Sequence, residues 1–377
     1  MCRGNDFFML IVLVINVAHK VSATRWIKNN TEVYMKNYKI GIVGCGRISQ
    51  KHFDAIYQNK EKLELVAACD THSAQQANAP CDIPFYSSMA EMIERTDLDI
   101  IALCTPSGLH PSQAIYAAEK GLHVITEKPM STRWQDGNNM IKAFDKANKK
   151  LFVVKQNRLN PTVQLLKKAL EKGWFGRLDM LQANVFWTRP QSYYDQADWR
   201  GTWEFDGGAL MNQASHYVDL LEWLGGPVES IQAMMATRAR DIEVEDSAVI
   251  NLKWRRGAIG SMAVSMLTYP ENKEGSITIL GEKGSAKIGG VALNQFEFWE
   301  FESKDAPSLE KANESNYQTD SVYGSGHAPY YENVVASLNG REEAIADGRE
   351  GLRSLELLIA CYRSAQQQKS VHLPLEL

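Results

Sequence analysis

Between residues 39 and 156, short apolar runs alternate with amphipathic stretches. The runs cover 39–43, 63–69, 100–104, 123–126 and 152–156, and helix-period stretches lie between them at 47–59, 89–96, 112–120 and 134–149. Several runs are unbroken, the pattern of parallel strands buried on both faces. A strand–helix alternation of this kind predicts a doubly wound parallel sheet. After residue 158 the period changes. A helix-period segment at 161–172 precedes longer runs at 180–187, 229–237, 247–254, 258–267 and 276–280, several of them alternating polar with apolar, as in 261–266. One-sided burial of a largely antiparallel sheet produces that period. Helical stretches at 208–224, 329–339 and 349–368 complete this half, and the polar segment 304–325 reads as a long loop.

The expected fold class is therefore α/β. A Rossmann dinucleotide-binding domain occupies 35–157, and a second α/β domain with an open, largely antiparallel sheet occupies 158–377. Residues 1–34 stand apart. An apolar run at 7–18, broken only by Asn16, follows Arg3 and precedes Val21-Ser22-Ala23, which resembles a signal-peptidase site. The run is shorter than the ~20 residues that a membrane span needs. Met35 stands directly before Lys36 and the first strand, as a natural start would. The segment reads either as signal-like or as an extension from a misplaced start codon, and the second alternative goes with a cytoplasmic protein.

Composition acts mainly by exclusion. The chain has 377 residues, 44% hydrophobic and 23% charged, with formal net charge -4. That length favours two domains. The 41 Lys and Arg are scattered and form no basic tract, which argues against nucleic acid as a partner. Nothing in the two domains suggests a membrane. Six cysteines show neither metal-ligand spacing nor disulfide density, so they read as small buried hydrophobes and no metal is expected.

Candidate chemistry begins where the first strand ends, at Gly44-Cys45-Gly46-Arg47-Ile48-Ser49. The first glycine permits a tight turn, and the second lets the backbone approach a pyrophosphate at a helix N-terminus. Ser49 stands where a third glycine is usual. Asp70 closes the second run, where a carboxylate accepts a ribose hydroxyl and repels a 2′-phosphate, so the expected cofactor is NAD. Thr105, Ser107 and His110 follow the next strand, at the crevice of such sheets. Glu127-Lys128-Pro129 ends another. A lysine beside an apolar strand end is costly without a partner or a task, and in a desolvated cleft its pKa falls. Asn212 and His216 are four apart on a predicted helix and so share a face, after two glycines that allow close approach.

GIVGCGRIS (41–49), CTPSGLH (104–110), TEKPM (126–130) and GGALMNQASHYVD (207–219) resemble the glucose–fructose oxidoreductase/inositol dehydrogenase (Gfo/Idh/MocA) family. The resemblance implies a Rossmann domain joined to an open-sheet domain, with Lys128 and His216 acting around a sugar hydroxyl. The family's usual aspartate is Asn212 here, and a usual glycine is Ala214. Longer stretches, among them 153–170, 184–224, 274–290 and 321–331, are similar to bacterial dehydrogenases of UDP-N-acetyl-2-amino-2-deoxyglucuronate. Those enzymes oxidise the 3″-hydroxyl and pass the ketone to an aminotransferase for surface polysaccharide, including lipopolysaccharide O-antigen. The resemblance implies a UDP-sugar uronate substrate and a homotetramer, and leaves open whether a 2-oxoacid re-oxidises bound NADH in place.

The candidate catalytic residues are Lys128, His216 and Asn212. His216 is the favoured base, titrating at pKa ~6–7.5, with Lys128 as the alternative. Candidate cofactor contacts are Gly44, Gly46, Arg47, Ile48, Asp70, Thr105, Ser107, His110, Glu127, Gln156, Trp199 and Arg200. Candidate substrate contacts are Lys128, Arg158, Asn160, Arg189, Asn212, Gln213 and His216. Arg158, Arg189 and Arg200 suit carboxylate or phosphate recognition, while Trp187, Tyr193, Tyr194, Trp199 and Trp203 suit stacking on uracil or a sugar face. A dehydrogenase of a free polyol and a non-catalytic cofactor-sensing regulator are the rival readings.

Overall fold

The computed structural model describes residues 36–319 and 322–376, so the signal-like segment lies outside the described residues. Six parallel strands form the first sheet: β1 (Tyr38–Val43), β2 (Leu63–Cys69), β3 (Phe85–Tyr86), β4 (Ile100–Leu103), β5 (His123–Thr126) and β6 (Leu151–Val153). Their order is β3-β2-β1-β4-β5-β6. β1 and β4 are neighbours, and the chain winds away from them in opposite directions. The switch point therefore lies outside Val43 and Leu103, where ligands bind in sheets of this class. β4 is buried at every position, because helices cover both faces, and this explains the unbroken apolar run. Helix α1 (Ser49–Gln58) turns His52, Phe53, Ala55 and Ile56 inward, the spacing of one helical face. Helices α2 (Met89–Arg95), α3 (His110–Glu119) and α4 (Trp134–Ala147) complete the layers.

After α5 (Pro161–Glu171), the second sheet is built from β7 (Leu178–Phe186), β8 (Val228–Ala236), β9 (Ser247–Trp254), β10 (Ile259–Ser265), β11 (Glu274–Gly281), β12 (Gly284–Gly289), β13 (Gln295–Phe301) and β14 (Val371–His372). The order is β13-β12-β11-β7-β10-β9-β8-β14, antiparallel except for β7 beside β10. Its other helices are α6 (Gln191–Tyr194), α7 (Ser215–Gly225), α8 (Leu309–Ala312), α9 (His327–Leu338) and α10 (Gly348–Gln367). The β12–β13 hairpin was not anticipated, and α8 interrupts the expected loop. Two helices of the second half also pack against the first sheet. α9 packs on α1 and puts Tyr330, Tyr331, Val334 and Val335 into the core of the first sheet. α10 lies against both β6 and β8. Among the described residues no helix is long and apolar enough to cross a membrane.

One expected helix is shorter than its sequence pattern. α7 begins only at Ser215, and residues 209–213 form turns. Gly207 has φ +74°, and the Leu210 N–H donates to the Glu245 carboxylate at 2.8 Å. Asn212 therefore precedes the helix and does not share a helical face with His216.

Candidate active site

Gly44 has φ +92°, and a Cβ there would meet the backbone of Cys104 and Thr105 at 2.8–2.9 Å. The glycine loop thus packs directly on the loop that follows β4. A Cβ on Gly46 would meet nothing within 4 Å, so that backbone faces open space. Asp70 holds the loop from the other side: its Oδ2 accepts the Cys45 N–H at 2.8 Å and its Oδ1 the His72 N–H at 2.8 Å. The resulting cradle, exposed backbone over a helix start with a carboxylate at the next strand end, fits a dinucleotide. Ser49 is buried, and its hydroxyl donates to Gly46 O at 2.7 Å, so the hydroxyl is used where a third glycine is common.

The cradle opens into a cleft of about 1600 Å³, larger than the ~300–1,000 Å³ of a single small-molecule site. Gly44, Gly46, Arg47, Ile48, Asp70, Thr105, Ser107, Glu127 and Lys128 line it from the first half. Arg189, Tyr193, Trp199, Arg200, Trp203, Asp206 and Asn212 line it from the second. The Arg200 guanidinium lies 4.5 Å from the ring centres of both Tyr193 and Trp199 and donates to the Tyr193 hydroxyl at 2.7 Å. Arg189 lies 5.4 Å from the Tyr193 ring. One wall is therefore cationic and aromatic, suited to an anionic ligand with a flat group.

At the end of β5, Lys128 Nζ donates to Asn212 O at 2.9 Å and lies 3.4 Å from Asn212 Oδ1. Burial pulls its pKa below the ordinary lysine value, against the opposing pull of Glu127 and Asp206. The Asn212 amide N–H in turn donates to Asp206 Oδ1, and Asp206 Oδ2 accepts the Gly201 N–H at 2.8 Å. Burial pushes Asp206 up to about 6, against Gly201, Asn212, Arg200 and Lys128. Asp206 was missed at the sequence level; an acid immediately before two glycines carries no local sign of burial. His216 is buried, with Nε2 3.3 Å from the Gln156 amide nitrogen and Nδ1 without a hydrogen bond. Burial, then Lys128 and Lys155, hold its pKa well below the usual histidine range. The expected titration of His216 at pKa ~6–7.5 is thus corrected: the ring stays neutral there, and Asp206 is the group of this constellation that titrates near 6.

Glu127 faces the cleft, but its carboxylate is engaged. Oε1 lies 3.0 Å from His52 Nε2 and 3.9 Å from His327 Nε2, and Oε2 accepts the Lys128 N–H at 3.1 Å. Tyr331 OH holds the other His52 nitrogen at 2.6 Å. Burial alone would raise Glu127; the two histidines overcome it and hold the carboxyl well below the usual range. His52, Glu127 and His327 are also the described residues grouped closely enough to share one cation, although the short His52–Glu127 contact makes a hydrogen-bonded brace for the lysine turn.

Several expected site residues lie elsewhere. Arg158 is buried and bidentate to Asp219, Nε at 2.9 Å and Nη2 at 2.7 Å, and its Nη1 reaches Glu350 at 3.0 Å and Ile345 O at 2.8 Å. Every arm of its fork is taken, and it borders a separate groove with Glu222 and Trp223. Asn160 is fully buried beneath Gly324, accepting the Ser325 N–H at 3.3 Å. Gln213, Gln156 and His216 are buried and do not line the cleft. His110 is buried between Pro129 O and Thr105 O, each 2.9 Å away, and ties two strand-end loops together. Trp187 and Tyr194 are core residues. Cys45, Cys69, Cys104 and Cys361 are buried free thiols.

Fold and cleft together define a nicotinamide-dependent oxidoreductase. Residues 38–155 match the NAD-binding Rossmann fold of the oxidoreductase family and residues 167–373 its C-terminal alpha/beta domain, and the chain belongs to the Gfo/Idh/MocA family. It superimposes with TM-score 0.87 and 56% identity on the WlbA dehydrogenase of Bordetella pertussis, solved with NADH and UDP-GlcNAcA, over 90% of this chain and 99% of that one. The WlbA dehydrogenase of Chromobacterium violaceum, solved with the same two ligands, gives TM-score 0.85 and 54% identity over 91% and 97%. The 4-carboxy-2-hydroxymuconate-6-semialdehyde dehydrogenase of Sphingobium sp. is 25% identical over 238 residues, 60% of this chain and 71% of that protein. Its different substrate illustrates that family membership alone does not fix the ligand. The protein is an NAD-dependent dehydrogenase.

Proposed function

We propose that this dehydrogenase oxidises the 3″-hydroxyl of UDP-N-acetyl-2-amino-2-deoxy-D-glucuronate in the synthesis of a surface-polysaccharide sugar. The observation that carries this reading is identity above one half, over nine-tenths of the chain, to two proteins solved with NADH and UDP-GlcNAcA. The cleft agrees with it: Arg189 and Arg200 with Tyr193 and Trp199 suit a nucleotide sugar bearing phosphates and a carboxylate. The phosphate and carboxylate contacts are assigned to those two arginines, not to Arg158.

Bound NAD supplies the hydride acceptor. Gly44, Gly46 and Arg47 hold its pyrophosphate side and Asp70 its ribose. Lys128, as the neutral amine that its lowered pKa favours, accepts the proton of the reacting hydroxyl, and the ammonium so formed steadies negative charge that develops on the oxygen. A neutral His216 is in the protonation state of a base, but its depressed pKa makes it a weak one and it does not line the cleft, so the proton is assigned to Lys128, whose pKa is lowered. Asn212 orients Lys128. The open face of the second sheet shows two cross-strand pairs to solvent, Met180 beside Ile259 and Met234 beside Val249, apolar positions suited to assembly of a homotetramer, which light scattering measures directly.

The test mixes protein, NAD and UDP-GlcNAcA and follows absorbance of the reduced nicotinamide. NADH formation supports the reading. No NADH, together with turnover of a free sugar or inositol and no binding of UDP, overturns it.

A further inference from the structure

Lys128 meets Asn212 through two neutral oxygens, at 2.9 and 3.4 Å. Neutral acceptors orient an ammonium without balancing its charge. Among the described residues, the side chain that accepts from the Asn212 amide nitrogen is the Asp206 carboxylate. Asp206 is 1% exposed and borders the cleft. Its other oxygen is fixed by the Gly201 N–H. Both groups on Asp206 are donors, so the ionised carboxylate satisfies both, whereas a protonated carboxyl carries a hydrogen that needs an acceptor. An ionised Asp206 therefore fixes which way the Asn212 amide faces, nitrogen to Asp206 and oxygen to Lys128. We propose that Asp206 is a positioning residue that acts through Asn212, orienting the amide toward Lys128 and adding its negative charge to that of Glu127 beside the lysine in the cleft. This rests on the reading of Lys128 as the proton-handling residue.

The charged and titratable groups around Asp206 come from several elements. Lys128 and Arg200 favour its ionised form. Glu245, which holds the Leu210 N–H of the same turn, and Tyr194 bear on it from the other side. Glu245 is itself pushed up to about 7 by burial, but its contacts are with the turn backbone and Tyr362, not with the Lys128–Asn212 pair. With Asp206 near 6, kcat/KM should fall as pH drops through that value.

The experiment measures pH profiles for wild type, Asp206→Asn, Asn212→Asp and the exchange Asp206→Asn/Asn212→Asp, with NADH affinity by fluorescence as the folding control. Asp206→Asn is expected to lower kcat roughly ten- to a hundredfold, as misplacement of a reacting group does, with NADH affinity unchanged and the limb near pH 6 lost. The exchange puts a carboxylate directly beside Lys128 and should recover most of the rate. Asn212→Asp alone sets two carboxylates together, which raises one of them, and should move the limb to higher pH. Unchanged kcat and limb in Asp206→Asn, or an exchange variant that binds NADH yet is no faster than Asp206→Asn, overturns the proposal. If Asp206→Asn does not fold, an unmoved limb in Asn212→Asp overturns it instead. An inactive Lys128→Met with a silent Asp206→Asn removes only this inference; an active Lys128→Met removes the reading of Lys128 beneath it.

Discussion

This protein holds two buried charged constellations, and they use the same kinds of residue for different ends. Around Asp219, charge is matched by charge. Arg158 binds it with two nitrogens, Ser354 donates to it at 2.7 Å, Lys155 stands 3.5 Å away, and Glu350 takes the spare arginine arm. Burial alone would raise Asp219, but Arg158 and Lys155 overcome it and hold the carboxyl well below the usual carboxylate range. Around Lys128 the matching is incomplete. The ammonium has neutral acceptors, the nearby carboxylate lies one side chain further off, and His216 keeps an unpartnered Nδ1. A closed network holds its members in one state. An open one beside a cleft leaves capacity for a substrate hydroxyl, which is where shifted pKa values carry a function.

The sharpest way to break this contrast is Lys128→Met. It should cut turnover by at least about 10²-fold, the range for a lost acid–base group, while NADH affinity and melting temperature stay close to wild type. Turnover kept above a few per cent would move the chemistry away from Lys128. Arg158→Met should do the opposite. It leaves Asp219 buried without its principal partner, which costs about 3–5 kcal/mol in stability, read as a fall in melting temperature. Protein that remains folded should keep its KM for the sugar nucleotide. A stable Arg158→Met with a raised KM would return Arg158 to the binding site.

The sequence made β1, β4, β5 and β6 legible because they are buried on both faces, whereas the half-buried two-residue β3 was not anticipated. β2, β5 and, in the second sheet, β9 begin and end where the apolar runs do. Gly44 and Lys128 were legible because each stands at a strand end, where the fold itself puts the crevice. What failed depended on distant partners. The apolar pattern runs on through 208–214, but that turn is held by residues remote in sequence, Glu245 accepting from Leu210 and Tyr362 from Gly208, and no local signal separates it from α7. Arg158 looked like Arg189 and Arg200 because nothing local distinguishes a paired arginine from one facing a cleft. One signal did exist: Asp219 lies within the apolar stretch of α7, and an acid in a buried stripe calls for a cation. Asp206 had no such marker. The β12–β13 hairpin was missed although 295–301 carries alternating aromatics.

Cofactor choice gives a smaller effect and tests the cradle. NAD should be strongly preferred over NADP, and Asp70→Ala should narrow the gap by roughly tenfold or more, because the carboxylate that repels a 2′-phosphate is gone. Because Asp70 also holds the Cys45 N–H, the variant should weaken NAD binding as well as relax the choice. Equal use of the two cofactors by the unaltered enzyme would show that Asp70 serves the loop alone.

The smallest expected effect is the pH dependence of stability, and here the two constellations have opposite signs. Asp206 has a folded pKa of about 6 against ~3.9 for a free aspartate. Between those values the folded chain holds the extra proton, so the contribution of this group is present at acid pH and is lost as pH rises through about 6. About two units of separation correspond to at most about 3 kcal/mol. In a chain of this size that is a few degrees of melting temperature. Asp219 is depressed, so its contribution is present above the unfolded value of ~3.9 and is lost only as pH falls toward its low folded value. The two variants should therefore differ in slope. Relative to Asp206→Asn, wild type should gain stability as pH falls from ~7.5 to ~5. Relative to Asp219→Asn, its advantage should stay level across the same window. Using differences between melts cancels the titrating groups that do not interact with the replaced carboxylate; Glu245 beside Asp206 and Glu222 beside Asp219 are coupled to it and add a part of their own. A level difference for Asp206→Asn would mean that its carboxylate is already balanced, as Asp219 is, and the contrast between an open and a closed network would fail at its centre.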